Sequence, residues 1–102
     1  MINPKMIQKL QKMQDDMKRV QAEINQSTFY GQAGGSVVKV SVKGTKEVID
    51  VQIKKDEIDI SDIDMLQDLI VTAVNDALKK VDKEIEESIG SITKGMSFPG
   101  MF

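Results

Sequence analysis

The sequence contains no cysteine, no histidine and no tryptophan, and its aromatic residues are limited to one tyrosine and three phenylalanines. Without cysteine, a disulfide framework, a thiol nucleophile and a thiolate metal site are all excluded. Without histidine, the commonest general base at neutral pH is missing, and so are the Ser-His and Cys-His pairs of hydrolases and the usual zinc ligands. We therefore expect a protein that is not an enzyme and that uses no cofactor and no metal ion.

Long hydrophobic runs are also missing from the chain. No stretch approaches the roughly 18 to 20 apolar residues that span a membrane, and the first ten residues lack the apolar segment of a secretory signal. The absence of cysteine fits a reducing compartment. We expect a cytosolic protein with neither a membrane nor a small-molecule substrate among its partners.

Two segments resemble ligand-binding loops but lack the required spacing. The glycine-rich stretch Gly31-Gln32-Ala33-Gly34-Gly35 is not followed by Gly-Lys-Ser/Thr, which a phosphate-binding loop needs. The acidic run over residues 56–64 has no glycine and no terminal glutamate at the offsets of a calcium loop. The first is interpreted as turns at its glycines, and the second as a solvated connection leading into a helix.

The first segment predicts a long amphipathic helix over residues 3–26. Asn3 is a favoured N-cap, and Pro4 suits the first helical position. Apolar residues then recur at spacings of 4, 3, 4, 3 and 4, and no glycine or proline interrupts them. This narrow seam is typical of a helix that packs against other helices. The predicted packing residues are Met6, Leu10, Met13, Met17, Val20 and Ile24.

The middle of the chain predicts a small antiparallel sheet. Val38, Val40 and Val42 alternate with polar residues, and a second alternating run over residues 49–53 follows a turn at residues 44–46, which together indicate a β-hairpin. Phe29-Tyr30 could start a further short strand before the turns. One face of each strand is polar, so the other face needs a cover.

A second helix follows, with Ser61 as a plausible N-cap and Gly90 as its expected end. Its apolar stripe is broad enough over residues 66–78 to cover the sheet, and it narrows beyond Lys79. The predicted fold class is α+β: a long N-terminal helix, a sheet of two to three strands and a long C-terminal helix. We expect one domain over residues 1–90, a flexible tail over residues 91–102, and a dimer with projecting helical arms.

Charge is distributed unevenly, although the net charge is only −2. Residues 1–30 carry five basic and three acidic groups, whereas residues 61–102 carry four basic and eight acidic groups. Lys5, Lys9, Lys12 and Arg19 lie at helical offsets 0, 4, 7 and 14, along one edge beside the apolar seam. This edge suits the phosphates of double-stranded DNA. It also suits a solvated helix face on which Asp15 and Asp16 supply i,i+4 ion pairs to Lys12 and Arg19. Spacing alone leaves both interpretations open.

The chain as a whole resembles the YbaB/EbfC family of bacterial nucleoid-associated proteins. The resemblance is carried by Met6-Ile7-Gln8-Lys9-Leu10-Gln11-Lys12-Met13-Gln14, by Gly34-Gly35-Ser36-Val37-Val38-Lys39-Val40, by Gly44 with Val48-Ile49-Asp50-Val51-Gln52-Ile53, by Met65-Leu66-Gln67-Asp68-Leu69-Ile70 with Ala73-Val74-Asn75-Asp76-Ala77, and by Gly95-Met96-Ser97-Phe98-Pro99-Gly100. It implies a homodimer with a shared sheet, whose helical arms hold duplex DNA in the cytoplasmic nucleoid, with a role in nucleoid organisation or gene regulation.

The resemblance transfers to individual residues only at basic positions of the arms. The candidate DNA-binding residues are Lys5, Lys9, Lys12, Lys18, Arg19, Lys79, Lys80 and Lys83. Lys18 lies off the edge described above, and the last three are diluted by neighbouring acidic residues. The alternative interpretation is a protein-interaction or scaffold module that uses the methionine-rich helical seams.

Overall fold

The chain begins with the predicted long helix. The structure is a computed structural model that describes residues 3–94, and its first element is α1 (Pro4–Gln26). The side-chain oxygen of Asn3 accepts a hydrogen bond from the backbone N–H of Met6 at 2.8 Å, so Asn3 caps the helix as expected. Ser27 ends it, and its hydroxyl donates to the carbonyl oxygen of Glu23 at 2.8 Å. The helix predicted over residues 3–26 is confirmed.

Three antiparallel strands follow: β1 (Thr28–Ala33), β2 (Val38–Lys43) and β3 (Val48–Ile53), with β2 in the centre. The predicted hairpin is β2 and β3. The optional strand at Phe29-Tyr30 exists and is six residues long. The prediction of a turn at Gly31 is wrong, because Gly31 lies within β1, opposite Val40. Gly34 and Gly35 do form a turn, with φ values of 63° and 64° that favour glycine.

The last element, α2 (Ile63–Thr93), covers the inner face of the sheet. Val38, Val40 and Val42 of β2 are completely buried against it, and α2 contributes Ala73, Ala77 and Val81 to the same core. The two alanines let the helix approach β1 so closely that a Cβ atom on Gly31 would collide with the backbone of Ala73 and Ala77. This close approach explains why glycine occupies a strand position. The α+β fold is confirmed.

Both predicted ends of the second helix need correction. Its N-cap is Asp62, whose side chain accepts from the N–H of Met65 at 3.1 Å, and not Ser61. The backbone N–H and hydroxyl of Ser61 instead donate to Asp59. Gly90 does not end the helix, which continues to Thr93 because the apolar positions extend to Ile92. Residues 91–93 are therefore helical, and the rest of the predicted tail, residues 95–102, lies outside the described residues.

The two helices pair only over their C-terminal halves. Met17, Val20 and Ile24 of α1 line a narrow gap of about 80 Å³ together with Ile85, Ile89 and Ile92 of α2. Ile24 is buried, whereas residues 3–12 are all exposed, including Met6 at 50% and Leu10 at 39%. The first half of α1 is therefore an exposed arm, defined here as residues 3–12, on a molecule that measures 67 × 27 × 16 Å.

The inner face of the sheet is covered unevenly. α2 packs on β1 and β2 and leaves β3 open, so Val48 and Val51 are 45% and 39% exposed. These residues lie opposite Val42 and Val40, and a bulge inserts Ile49 between Val48 and Asp50. Ile49 therefore does not take the place opposite Val42 that uninterrupted alternation would give it.

Candidate nucleic-acid interface

Three lysines form a basic edge on the exposed arm. Lys5, Lys9 and Lys12 lie within about one-sixth of the helix circumference, because their offsets of 0, 4 and 7 residues nearly repeat the helical period. All three are exposed. Among residues 3–94, none of them has a carboxylate within ion-pair distance. The predicted i,i+4 pair between Lys12 and Asp16 is therefore not formed, and the three ammonium groups face solvent.

The position of Lys5 is unfavourable for the helix itself. It lies in the first turn of α1, where the helix dipole favours negative charge, and that turn contains no acidic residue. By contrast, α2 begins with Asp62 as its cap and Asp64 in its first turn. A cation at a helix N-terminus costs on the order of 0.3–1 kcal/mol. Helix stability therefore does not explain Lys5.

Arg19, at the far end of the predicted edge, differs from the three lysines. Its guanidinium lies 3.2 Å from the carboxylate of Asp16 and 3.9 Å from that of Glu23. The predicted i,i+4 pair of Arg19 with Asp15 is not found among the described ion pairs, and Arg19 instead pairs with Asp16 and Glu23. Lys18 is exposed on another side of the helix, about 140° around the axis from Lys5. The basic edge of the arm consequently reduces to Lys5, Lys9 and Lys12.

The predicted second cluster on α2 does not join this edge. Lys80 donates to the backbone carbonyl oxygen of Tyr30 at 2.6 Å and lies 3.6 Å from Asp76, so it is bound to the rim of the sheet. Lys83 lies 3.9 Å from Glu87. Lys79 has no carboxylate within ion-pair distance among the described residues, but it is adjacent to these charge-paired neighbours. The eight candidate residues thus belong to separate parts of the protomer.

The outer face of the sheet carries basic residues that the sequence pattern had not assigned to a site. Lys39 and Lys43 of β2 alternate with the buried valines and therefore face away from α2, and both are exposed. The register pairs Tyr30 with Ser41 between them, so Tyr30 lies on the same face and is 63% exposed. The alternation of β2 was the signal for the two lysines. Locating Tyr30 required the pairing of β1 with β2.

The part of the chain that the structure describes offers few other groups arranged for ligand binding or catalysis. Over residues 3–94, no group of three carboxylates is arranged to hold a metal ion, and no helix there is long and apolar enough to cross a membrane. The two hydrogen bonds from Ser61 lower the pKa of the exposed Asp59 carboxyl. Asp59 lies in the connection before α2 and contacts neither basic surface.

Fold and surface together define a small α+β protein whose first helix extends a basic, exposed arm. Residues 2–96 match the model of the YbaB/EbfC DNA-binding family, and the chain belongs to this family. The resemblance of the sequence to that family is thereby confirmed, and the family is one of DNA-binding proteins, in agreement with the expectation of a non-catalytic chain.

Individual relatives agree with the family assignment. A nucleoid-associated protein of Oceanobacillus iheyensis is 48% identical over 97 residues, which cover 95% of this chain and 93% of that protein. A nucleoid-associated protein of Bacillus licheniformis is 52% identical over 80 residues, covering 78% and 75% of the two chains. The crystal structure of an uncharacterised protein of Helicobacter pylori shares the fold, with a TM-score of 0.67 at 22% identity over 85% of this chain and 92% of that one.

Proposed function

We propose that this protein is a nucleoid-associated protein of the cytoplasm that binds double-stranded DNA as a homodimer, mainly through phosphate contacts of its two arms, with a role in nucleoid organisation or gene regulation. The observation that most strongly supports this proposal is the basic edge of Lys5, Lys9 and Lys12. The ammonium groups of these lysines have no carboxylate partner among residues 3–94. Family membership and the names of the relatives support DNA as the ligand.

Phosphate contact is the mode of binding that these side chains favour. Lysine is a flexible point charge that neutralises a phosphate without reading a base, so the arm should bind many sequences. The net charge of −2 works against tight binding by the whole molecule and confines attraction to the locally basic arm. With three lysines on each of two arms, affinity should fall about a thousandfold between about 50 and about 200 mM salt.

The open inner face over β3 supports the homodimer. Val48 and Val51 are only partly covered there, although they neighbour the fully buried valines of β2. The outer edge of β3 also has no strand beside it among residues 3–94. Apolar side chains on an unpaired edge strand form a surface that a second copy can cover by a two-fold symmetric contact. Such a contact would bring two arms into one molecule.

The test of DNA binding uses mobility shift of duplexes of unrelated sequence at low and high salt. The triple substitution of Lys5, Lys9 and Lys12 by Gln should abolish most of the shift at moderate salt and flatten the salt dependence. The three single substitutions are compared with Lys55→Gln as their matched control, because Lys55 lies in the short 3₁₀ helix Lys55–Glu57 and its replacement removes one positive charge away from the arm. Unaltered duplex binding by the triple variant would overturn the proposal.

Arg19 provides a graded comparison within the same experiment. Because its guanidinium already pairs with Asp16 and Glu23, Arg19→Gln should weaken duplex binding less than any single lysine substitution of the basic edge. Lys18, Lys79, Lys80 and Lys83 remain candidates for weaker peripheral contacts. A larger effect at these positions than at the basic edge would relocate the DNA-binding site.

The alternative function, a protein-interaction module, draws on the exposed apolar residues of the same arm. Met6, Ile7 and Leu10 are 50%, 44% and 39% exposed, and such residues suit adaptable contacts with another protein. The discriminating result is retention of a protein partner that does not depend on salt, together with no duplex shift at low salt.

A further inference from the structure

The outer face of the sheet has the composition of a surface for unpaired nucleic acid. It presents Tyr30 between Lys39 and Lys43, with the amide side chains of Gln32 and Gln52 beside them. Its one carboxylate within the strands, Asp50, accepts a hydrogen bond from the Gln52 amide at 3.2 Å. Within residues 3–94, neither Lys39 nor Lys43 has a carboxylate at ion-pair distance. Two cations and an aromatic ring are thus left facing solvent.

A shallow depression adjoins the tyrosine. It has a volume of about 270 Å³ and is lined by Tyr30, Gly31, Gln32, Lys39 and Lys80. Pockets for whole small-molecule ligands are usually about 300–1,000 Å³, so this depression suits one unit of a polymer better than a complete ligand. Its wall combines the aromatic ring of Tyr30 with the ammonium group of Lys39, which suit a base and a phosphate oxygen, whereas the ammonium group of Lys80 is already bound to the Tyr30 carbonyl oxygen.

The placement of Tyr30 is not explained by packing. Its ring is 63% exposed on a strand whose inner face is already closed by α2. Lys80 holds the backbone of this residue through its hydrogen bond to the Tyr30 carbonyl oxygen, and the neighbouring N–H of Gln32 is held by Asp76 at 3.0 Å. The strand segment that carries the ring is therefore fixed, and the ring itself is presented to solvent.

We propose that this outer face is a second binding surface, in which Tyr30 stacks on a base of an unpaired nucleic-acid strand while Lys39 and Lys43 contact its phosphates. Stacking on an aromatic ring contributes affinity for any base, and lysines beside the ring bind the phosphate backbone of the nucleic-acid strand. The surface is separate from the duplex-binding edge of the arm, so a protein of this kind could hold duplex and unpaired segments at once. The inference goes beyond the duplex binding proposed above and does not depend on it.

The chain offers a site-specific probe, because Tyr30 is its only tyrosine and it contains no tryptophan. Titrating the full-length protein with a short oligothymidylate should quench its intrinsic tyrosine fluorescence, since a stacked base quenches the ring. Free tyrosine amide provides the correction for light absorbed by the oligonucleotide. Parallel titrations with oligodeoxyuridylate and oligouridylate, which differ only in the sugar, distinguish DNA from RNA as the preferred ligand. Saturable binding without quenching would overturn the proposal.

Substitutions then distinguish nucleic-acid binding at this outer face from binding at the arm. Tyr30→Ser should weaken binding of labelled oligothymidylate about tenfold, whereas Tyr30→Phe should retain it within about twofold because any aromatic face stacks. Lys39→Gln should lower the steepness of the salt dependence, and Lys55→Gln should not. Unchanged binding by Tyr30→Ser, or equal binding of polyglutamate by the parent protein, would contradict a stacking site.

The triple arm variant distinguishes failure of this proposal from failure of the proposed function. It should lose duplex binding and keep the oligothymidylate quenching of Tyr30. Loss of both activities in that variant, with its thermal melting unchanged, would show that all nucleic acid binds at the arm and would overturn the second surface.

Discussion

The two edge strands of the sheet, β1 and β3, differ in how α2 covers them. At β1, side chains of α2 occupy two of the outer backbone groups: Asp76 accepts from the N–H of Gln32 at 3.0 Å, and Lys80 donates to the carbonyl oxygen of Tyr30 at 2.6 Å. At β3, α2 makes no comparable cover, and Val48 and Val51 remain partly exposed. An edge whose hydrogen-bonding groups are occupied resists pairing with another strand, whereas an open apolar edge invites it.

This difference explains how a chain with two edge strands could form a closed pair. If both edges were open, copies could add at either side and continue into a filament. With β1 occupied by its own helix, only β3 is available, and a symmetric contact there uses up the available edge of both copies. The comparison therefore predicts a dimer rather than a higher assembly.

The largest change in stability is expected from a substitution where β1 packs against α2. Gly31→Ala should destabilise the protein by more than about 3 kcal/mol, above the usual range for overpacking, because the new methyl group meets backbone atoms of Ala73 and Ala77 that cannot rotate away. Gly90→Ala is the matched control. Nothing lies within 4 Å of a Cβ there, and alanine in place of glycine within a helix should stabilise by about 0.5–1 kcal/mol. Thermal unfolding measures both, and equal melting temperatures would contradict the close approach of α2.

The next effect concerns the open edge. Val51→Lys should dissociate the proposed homodimer while leaving the single chain folded, because it places a charge on the apolar surface over β3 without disturbing the buried valines of β2. Gln52→Lys adds the same charge to the outer face of the same strand and should leave the dimer intact. Light scattering after size-exclusion chromatography gives the mass of each. A Val51→Lys protein with the mass of two chains would place the interface elsewhere.

A smaller effect is expected at the occupied edge. Asp76→Ala removes the acceptor for the Gln32 N–H and the partner of Lys80, and should cost about 1 kcal/mol, the usual contribution of one hydrogen bond. The exposed ion pair itself adds little. Chemical denaturation measures the loss. Masses above that of a dimer in this variant would show that occupation of the β1 edge is what limits assembly, whereas an unchanged mass would show that shape alone limits it.

Local patterns predicted most of the elements, and long-range contacts account for the errors at Gly31 and Gly90. The limits of α1 followed from Asn3, Pro4 and the unbroken seam, which are all local features. Gly31 was misassigned because the reason for glycine is the backbone of α2, more than 40 residues away in sequence. Gly90 was misassigned because contacts of Ile89 and Ile92 with α1 continue the helix beyond it.

The same distinction applies to the candidate sites. The spacing of Lys5, Lys9 and Lys12 placed them on one edge, which the helix reproduces. Nothing in the spacing of Lys80 indicates that its partner is the carbonyl of Tyr30, 50 residues earlier. Whether a lysine is available to a phosphate depends on such partners, so sequence reasoning identified the basic residues but not which of them are already engaged.

The smallest effect lies in the connection that follows β3, where Asp59 and Ser61 are joined by local hydrogen bonds. The Asp59 carboxylate accepts from the N–H of Ser61 at 3.0 Å and from its hydroxyl at 2.5 Å, and these bonds lower the pKa of Asp59. A carboxyl whose pKa is lowered on folding stabilises the protein above its usual pKa, and this contribution is lost as the pH falls through the lowered value. Ser61→Ala should raise the pKa of Asp59 part of the way back, since the backbone donor remains. Carboxyl chemical shifts followed through an acid titration measure the pKa of Asp59.

Because Asp59 is fully exposed, duplex binding and dimer mass should not change in the Ser61→Ala variant. If either did, the connection after β3 would have to contribute to the open edge, and the contrast between the two edges would extend beyond the strands themselves.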